Sequence, residues 1–278
     1  SYIDGVDERI LVPVTQPFQA ILSLRSLKLQ LLVDTGQWAR LNSLLSFFSG
    51  AQFTVGFRTH GQSRERLYDL SIEHSNSLHE IDNFRQLGSP WNIPVLAPQL
   101  KELPAFTVDS SPIVFHVKPS GEKSWLKEWP MENWIELLNY FTGQGHTVVF
   151  TGSPEDAAGL KEIVQKAAEP ERAILLAGAT FTETLEVLQK SRLVVSVNTG
   201  IMHIASVMGK DLVVLNGPTN PRRWGPVNKN AIALKSELPC APCLNLGFEY
   251  GCNQNLCMRS LTLTNVVRAC EQLLASHP

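Results

Sequence analysis

The 278-residue chain reads as an α/β protein with a parallel, doubly wound sheet and two domains. Three observations predict this. From residue 111 onward, short apolar runs rich in β-branched residues alternate with amphipathic helical stretches, the pattern of successive βα units. The length suits two domains at roughly 100–200 residues each. Between the regular half and a less regular one lies Gly88–Pro104, which has prolines at 90, 94, 98 and 104 and no periodicity, as expected of a linker. The domains are accordingly placed at residues 1–105 and 106–278.

In the second half, Pro112–His116 (PIVFH) predicts a buried strand. Pro130 then opens a helix with Met131, Trp134, Ile135, Leu138 and Phe141 on one face, and Gly143 and Gly145 end it. Thr147–Phe150 is the next strand. Ser153-Pro154-Glu155-Asp156 supplies an N-cap, a proline at the first helical position and early acidic residues. Ala173–Leu176 reads as a strand and Thr182 as the cap of the following helix. Leu193–Val197 (LVVSV) is a strand, Gly200–Met208 a helix and Leu212–Leu215 a fifth strand. Val266, Val267, Cys270, Leu273 and Leu274 form a terminal helical stripe that must dock on something, if need be across the domain boundary. In the first half the strand candidates are Ile10–Val14, Leu31–Val33, Phe53–Val55 and Leu67–Ile72, with helices over Trp38–Phe48 and Leu78–Leu87.

Composition narrows the class. Hydrophobic residues make up 44% and charged residues 18%, a globular balance that excludes disorder and fibrous repeats. With 24 basic against 26 acidic residues, net −2, there is no basic excess to neutralise a phosphate backbone, and no nucleic-acid partner is expected. No apolar run approaches the roughly 18 residues that span a bilayer, and no signal segment opens the chain. The expected location is the cytoplasm.

In an open parallel sheet, ligands sit outside the carboxyl ends of the strands, so the residues just after each strand carry the chemistry. After LVVSV come Asn198-Thr199-Gly200-Ile201-Met202-His203. A small glycine-containing turn admits phosphate close to the backbone, and the next helix offers free N–H groups. A capped helix whose histidine merely packs would read the same way. No G-x-G-x-x-G and no Walker lysine is present, which argues against a dinucleotide dehydrogenase or a P-loop enzyme. After LVVL, Gly217–Pro226 (GPTNPRRWGP) is a rigid loop with Trp224 as a packing anchor or a ligand contact. Ser120 and Lys127 follow the first strand. Lys127 stands just before a helix start, where a cation is disfavoured unless an anion is held between them. Glu155 follows the next strand and suits either ribose hydroxyls or helix-end stabilisation.

Three of these segments together resemble glycosyltransferase family nine, the heptosyltransferases of lipopolysaccharide core assembly. They are Lys127–Trp134 (KEWPMENW), similar to the family's K-x-W-P element, Val195–His203 (VSVNTGIMH), similar to V-S-x-D-T-G-x-M-H, and the GPTNPRRWGP loop, similar to G-P-T-D-P-x-x-x-x-P. The resemblance implies two Rossmann-like domains of the GT-B type with the active site in the cleft, inversion at the anomeric carbon, and no metal or other cofactor required for transfer. Carried onto this sequence, it implies that Thr199, Gly200 and His203 hold the donor's diphosphate, that Lys127 stabilises the leaving group, and that Glu155 binds the ribose. Ser120, Asn198 and Met202 complete the expected substrate-binding set. In the first domain, Asp34-Thr35-Gly36, Gly50-Ala51 and Val55–Arg58 resemble family elements. Arg58, His60, Arg64 and Arg66 form a basic run that either faces an anionic acceptor or is simply solvated.

Two departures bear on activity. Asn198 stands where the family signature has an aspartate. The family's opening strand and its loop with the catalytic aspartate have no counterpart ahead of Ser1, so the first domain is expected to be incomplete by about two βα units, and the catalytic base is unassigned. The cysteines Cys240, Cys243, Cys252 and Cys257 fall within eighteen residues, a spacing that suits either a structural zinc site or plain thiols. The expectation is an inverting transferase that moves a heptose-like sugar from a nucleoside diphosphate, ADP-heptose, to a lipopolysaccharide core-type acceptor. It would work in the cytoplasm, with peripheral contact at the inner face of the membrane. The alternatives are a non-catalytic nucleotide-sugar or metal-binding relative and a nucleotide-sugar epimerase.

Overall fold

The computed structural model describes residues 6–94, 111–121, 123–245, 249 and 251–276. It divides into two compact units, Ser1–Gln99 and Leu100–Pro278. The boundary expected near residue 105, with most of the proline-rich linker, lies outside the described residues.

The first unit runs α1 (Pro17–Ser26), β1 (Leu31–Asp34), α2 (Arg40–Phe48), β2 (Phe53–Arg58), β3 (Leu70–Glu73) and α3 (Glu80–Gln86). Its sheet is parallel in the order β1-β2-β3, around a small core of Val55, Phe57 and Leu87. The expected strand at Ile10–Val14 is not formed. Pro13 removes a ladder donor from the middle of that run, the chain turns there with Gln16 N–H donating to the Pro13 carbonyl, and Pro17 opens α1. Gly56 is needed in β2 because the Tyr68 ring crosses it, leaving only 2.3 Å to an added Cβ.

The second unit follows the order β4 (Ile113–His116), α4 (Met131–Thr142), β5 (Val148–Gly152), α5 (Ala157–Gln165), β6 (Ala173–Ala177), α6 (Phe181–Lys190), β7 (Leu193–Val197), α7 (Gly200–Val207), β8 (Leu212–Asn216), α8 (Pro221–Trp224), β9 (Ala231–Lys235), α9 (Leu256–Arg259) and α10 (Leu263–Ser276). The six strands are parallel in the order β6-β5-β4-β7-β8-β9. The direction of strand addition therefore reverses between β4 and β7. The four central strands are buried along nearly their whole length, which is why they read as unbroken apolar runs. Ile113, Phe115, Phe150, Val195 and Val213 pack one face against Trp134 of α4, Leu160 of α5 and Val266, Cys270 and Leu273 of α10. Their alternates Val114, Val149, Val194 and Val214 pack the other face against Leu188 of α6 and Met202 of α7.

Three details differ from the sequence reading. The cap of α6 is Thr180, whose hydroxyl accepts from Glu183 N while the Glu183 carboxylate accepts from Thr180 N; this capping box outcompetes Thr182 and starts the helix earlier. The sixth strand, Ala231–Lys235, follows the proline-rich loop. The terminal helix docks within its own unit, on α4 and on β7, β8 and β9. Among the described residues no helix is long and apolar enough to cross a membrane.

Candidate functional site

The cavity at the carboxyl ends of β4, β5 and β7 has a volume of about 600 Å³, within the usual range of a small-ligand site. Its wall includes His116, Lys118, Ser120, Glu155, Thr199 and Gly200, so three separate strand ends converge at the switch point. Thr199 is the N-cap of α7, yet its hydroxyl makes no capping bond. It is buried, and among the described residues Oγ1 has no hydrogen-bond partner. By helix geometry the first amides of α7 also lack intrahelical acceptors. A Cβ built on Gly200 meets nothing within 4 Å, so a side chain there would stand in open space beside this wall. An uncommitted hydroxyl, free amides and the positive end of a helix dipole together form a receptor for an anionic oxygen.

Lys127 does not line this cavity and reaches it only through Ser120. Lys127 Nζ donates to the Ser120 carbonyl at 2.7 Å, and burial holds its ammonium below the usual lysine range. This bond ties the lysine to the loop after β4. Glu155 is exposed at the turn after β5, where its carboxyl is held below the ordinary range by a backbone hydrogen bond and by Ser153. Asp156 takes the helix-end role, accepting from the Ser153 N–H and hydroxyl at 2.8 Å. That leaves Glu155 turned to solvent at the mouth.

Several sequence-selected residues are elsewhere. Met202 is fully buried in the apolar layer beneath α7, so its side chain supports the site from below. His203 packs edge-on against Trp224, with centroids 6.4 Å apart. Asn198 Nδ2 donates to Asn216 Oδ1 and to the Trp224 carbonyl, both at 2.9 Å. Trp224 in turn donates from Nε1 to the Asn245 carbonyl, so the GPTNPRRWGP loop is anchored as a unit. The cavity also contains Phe181 and Thr184, which the sequence reading missed. Placing the α6 cap at Thr182 put Phe181 outside the helix, although an aromatic just after a strand-end Gly-Ala-Thr was a usable signal.

The first unit has a polar cluster of its own. Asp34 Oδ2 accepts from Arg64 Nη2 at 2.8 Å and from the Tyr68 hydroxyl, and Oδ1 accepts from Gly36 N at 2.7 Å. Arg64 Nη1 donates to the Gly36 carbonyl. Burial and the Asp34 carboxylate raise the Tyr68 phenol far above its ordinary range. Arg64 is therefore removed from the basic run proposed for an acceptor, because it neutralises a buried carboxylate. Arg58 pairs with Glu73 on the surface.

The four clustered cysteines line a second cavity of about 140 Å³ beside Pro218. Cys240 and Cys252 are exposed and Cys257 is buried. The Cys252 thiol donates to the Gln254 carbonyl, and burial, with smaller effects from Cys243 and Cys252, pushes the Cys257 thiol up to about 11. Among the described residues no three His, Cys, Asp or Glu side chains converge to hold a metal ion. The expected zinc site is thus not supported: thiols at different depths, one of them facing a carbonyl, do not make the closed tetrahedral set that structural zinc requires.

A doubly wound parallel domain with a cavity at its switch point defines the Rossmann-like class. Comparison with known proteins makes this specific. The profile of glycosyltransferase family 9 (heptosyltransferase) matches residues 42–252, and the chain belongs to that family. Lipopolysaccharide heptosyltransferase 1 of Pseudomonas aeruginosa is 33% identical over 124 residues, 45% of this chain and 34% of that protein. The chain spans between 33% and 62% of the curated relatives it matches. The structure of the E. coli ADP-heptose lipopolysaccharide heptosyltransferase II superimposes with a TM-score of 0.75 at 20% identity, covering 98% of this chain and 85% of that one. E. coli heptosyltransferase WaaC with ADP gives 0.71 at 17% identity, covering 93% and 77%. The two parallel sheets are those of the GT-B heptosyltransferase fold.

Proposed function

We propose that this chain carries the donor-binding half of an inverting glycosyltransferase that moves a heptose-like sugar from ADP-heptose to a lipopolysaccharide core-type acceptor. The observation that supports this best is Thr199 Oγ1, a buried hydroxyl in the wall of the switch-point cavity that has no partner among the described residues. A buried polar atom left unpaired costs about 1–3 kcal/mol, and a diphosphate oxygen would satisfy it. In this reading Thr199, Gly200 and the α7 amides hold the diphosphate, with His203 one turn along the helix. Glu155 accepts from the ribose hydroxyls at the mouth, and Ser120 lies in the wall with Lys127 tied behind it through its carbonyl. The acceptor hydroxyl attacks the anomeric carbon as its bond to the diphosphate oxygen breaks, and the configuration inverts. Lys127 stabilises the charge that develops on the leaving nucleoside diphosphate, so the transfer itself requires no metal or other cofactor. The acceptor's proton passes to a base that is not Asp34, whose oxygens are already occupied by Arg64, Tyr68 and Gly36. The work is placed at the cytoplasmic face of the membrane, by peripheral contact.

Calorimetric titration with ADP, UDP, GDP and CMP tests the reading. Selective binding of ADP is expected. Preference for UDP would keep the transferase and displace heptose as the sugar. Failure of all four to bind would overturn the donor site.

A further inference from the structure

His116 is the last residue of β4, the strand at which the sheet order reverses. Its register partners are Thr151 on β5 and Ser196 on β7. By alternation it projects to the same side of the sheet as Val114, the side covered by α6 and α7, and it lines the cavity together with Thr199 and Gly200. Its ring is held by a 2.9 Å hydrogen bond between Nδ1 and Thr151 Oγ1. The ring nitrogen left for a ligand is Nε2. The imidazole is thus fixed at the switch point, on the side of the sheet covered by α6 and α7.

The charge around it matters. Among the described residues, the charged side chains of the cavity wall are Lys118 from the loop after β4 and Glu155 and Asp156 from the turn after β5; α6 and α7 contribute Phe181, Thr184, Gly200, Ile201 and Ile204, none of them charged. Lys118 is already paired with Glu128 at 3.0 Å. The wall therefore has no uncommitted cation of its own against an incoming diphosphate. Burial pushes the imidazole down to about 4, against the opposing pull of Asp156 and Thr151, so His116 is neutral at pH 7. An anion placed against Nε2 favours the charged form.

We propose that His116 is a further ligand-contacting residue of this site, which meets an anionic oxygen of the bound nucleotide diphosphate at Nε2 and takes up a proton as it does so. The inference rests on the donor-site reading above and adds to it a residue and a linked proton. The sign follows from the direction of the shift. Because the ligand raises the histidine's pKa, the extra affinity is fully present below the free protein's value. It is lost as pH rises through the ligand-bound value, by up to about tenfold per pH unit between the two.

The test is calorimetric titration of the full chain with ADP between pH 5.5 and 8, in pairs of buffers with different ionisation enthalpies, for wild type, His116→Asn and His116→Gln. The ADP phosphate titrates in this range for all three proteins, so the quantity read is the difference between them. Asparagine preserves the contact to Thr151 and removes Nε2; glutamine reaches the ligand and cannot be protonated. Wild type should take up more protons than either variant at pH 6. His116→Gln should match its affinity at pH 8, and His116→Asn should bind several-fold more weakly at every pH. Equal proton uptake and parallel pH profiles in all three would overturn the role of His116 while leaving the donor site standing. No ADP binding by wild type would overturn both. If either variant fails to fold, the ring titration of His116 in wild type, followed by NMR with and without ADP, decides: a pKa that ADP does not raise refutes the proposal.

Discussion

The Asn198 side-chain amide donates to Asn216 Oδ1 at 2.9 Å, joining the turn that leaves β7 to the last residue of its neighbour β8. The same nitrogen donates to the Trp224 carbonyl. The family signature has an aspartate here, which could supply neither hydrogen. In this chain the amide serves as a strut between the loop that opens α7 and the loop that carries α8. Asn198→Asp should therefore lower stability by about 1–3 kcal/mol, the cost of leaving acceptors unpaired against a carboxylate. The loss should shrink as pH falls and the introduced carboxyl gains a proton to donate. Denaturant unfolding at pH 7 and pH 4.5 checks both; equal stability of variant and wild type at pH 7 would remove the strut.

Thr199→Val separates folding from binding. The hydroxyl has no partner among the described residues, so its replacement by a methyl of similar shape should leave the thermal midpoint unchanged or raise it. If the hydroxyl receives a diphosphate oxygen, ADP affinity should fall by about 0.5–1.5 kcal/mol. Thermal unfolding and calorimetry on the same preparation read the two effects.

Lys127→Ala should weaken ADP binding by about 1.5–3 kcal/mol, the worth of a charged hydrogen bond. Among the described residues its side chain donates to a backbone carbonyl, that of Ser120, so stability should change far less than affinity. An unaltered dissociation constant would take Lys127 out of the site.

In the first unit, Arg64→Ala should cost about 3–5 kcal/mol because it strands Asp34 as a buried, unpaired carboxylate. Tyr68→Phe, which removes one of several donors to that carboxylate, should cost about 1 kcal/mol. Replacing Asp34 and Arg64 together with apolar residues should recover much of the single-variant loss. A double variant no more stable than Arg64→Ala would contradict this account.

Thiol accessibility should follow depth. Cys240 and Cys252, both exposed, should react with a thiol reagent in the native protein at pH 8. Cys257, buried and with its pKa pushed up to about 11, and Cys270, on the buried face of α10, should react only on unfolding. Mass spectrometry after timed alkylation resolves the four. Protection of Cys240, Cys243, Cys252 and Cys257 as one group, released together by a chelator, would restore the metal reading.

What the sequence determined by itself was the second sheet and the positions of its strand ends. Buried parallel strands must be apolar on both faces and amphipathic helices must alternate with them, so period and punctuation suffice to place Leu193–Val197, α7 and the Thr199-Gly200 turn. The motif likeness then named the family. The sequence could not decide how each polar side chain spends its hydrogen bonds, since that depends on partners brought near from distant strands. Only the fold showed that Thr199 is left unpaired while Asn198 is committed to Asn216 and Trp224. It also removed Arg64 from the surface to neutralise Asp34, thirty residues away. His116 read as the end of an apolar strand until the sheet order set it beside α7, at the point where strand addition reverses. Cysteine spacing suggested a chelate, whereas depth and direction, which only tertiary packing sets, turned the four thiols into the lining of a small cavity.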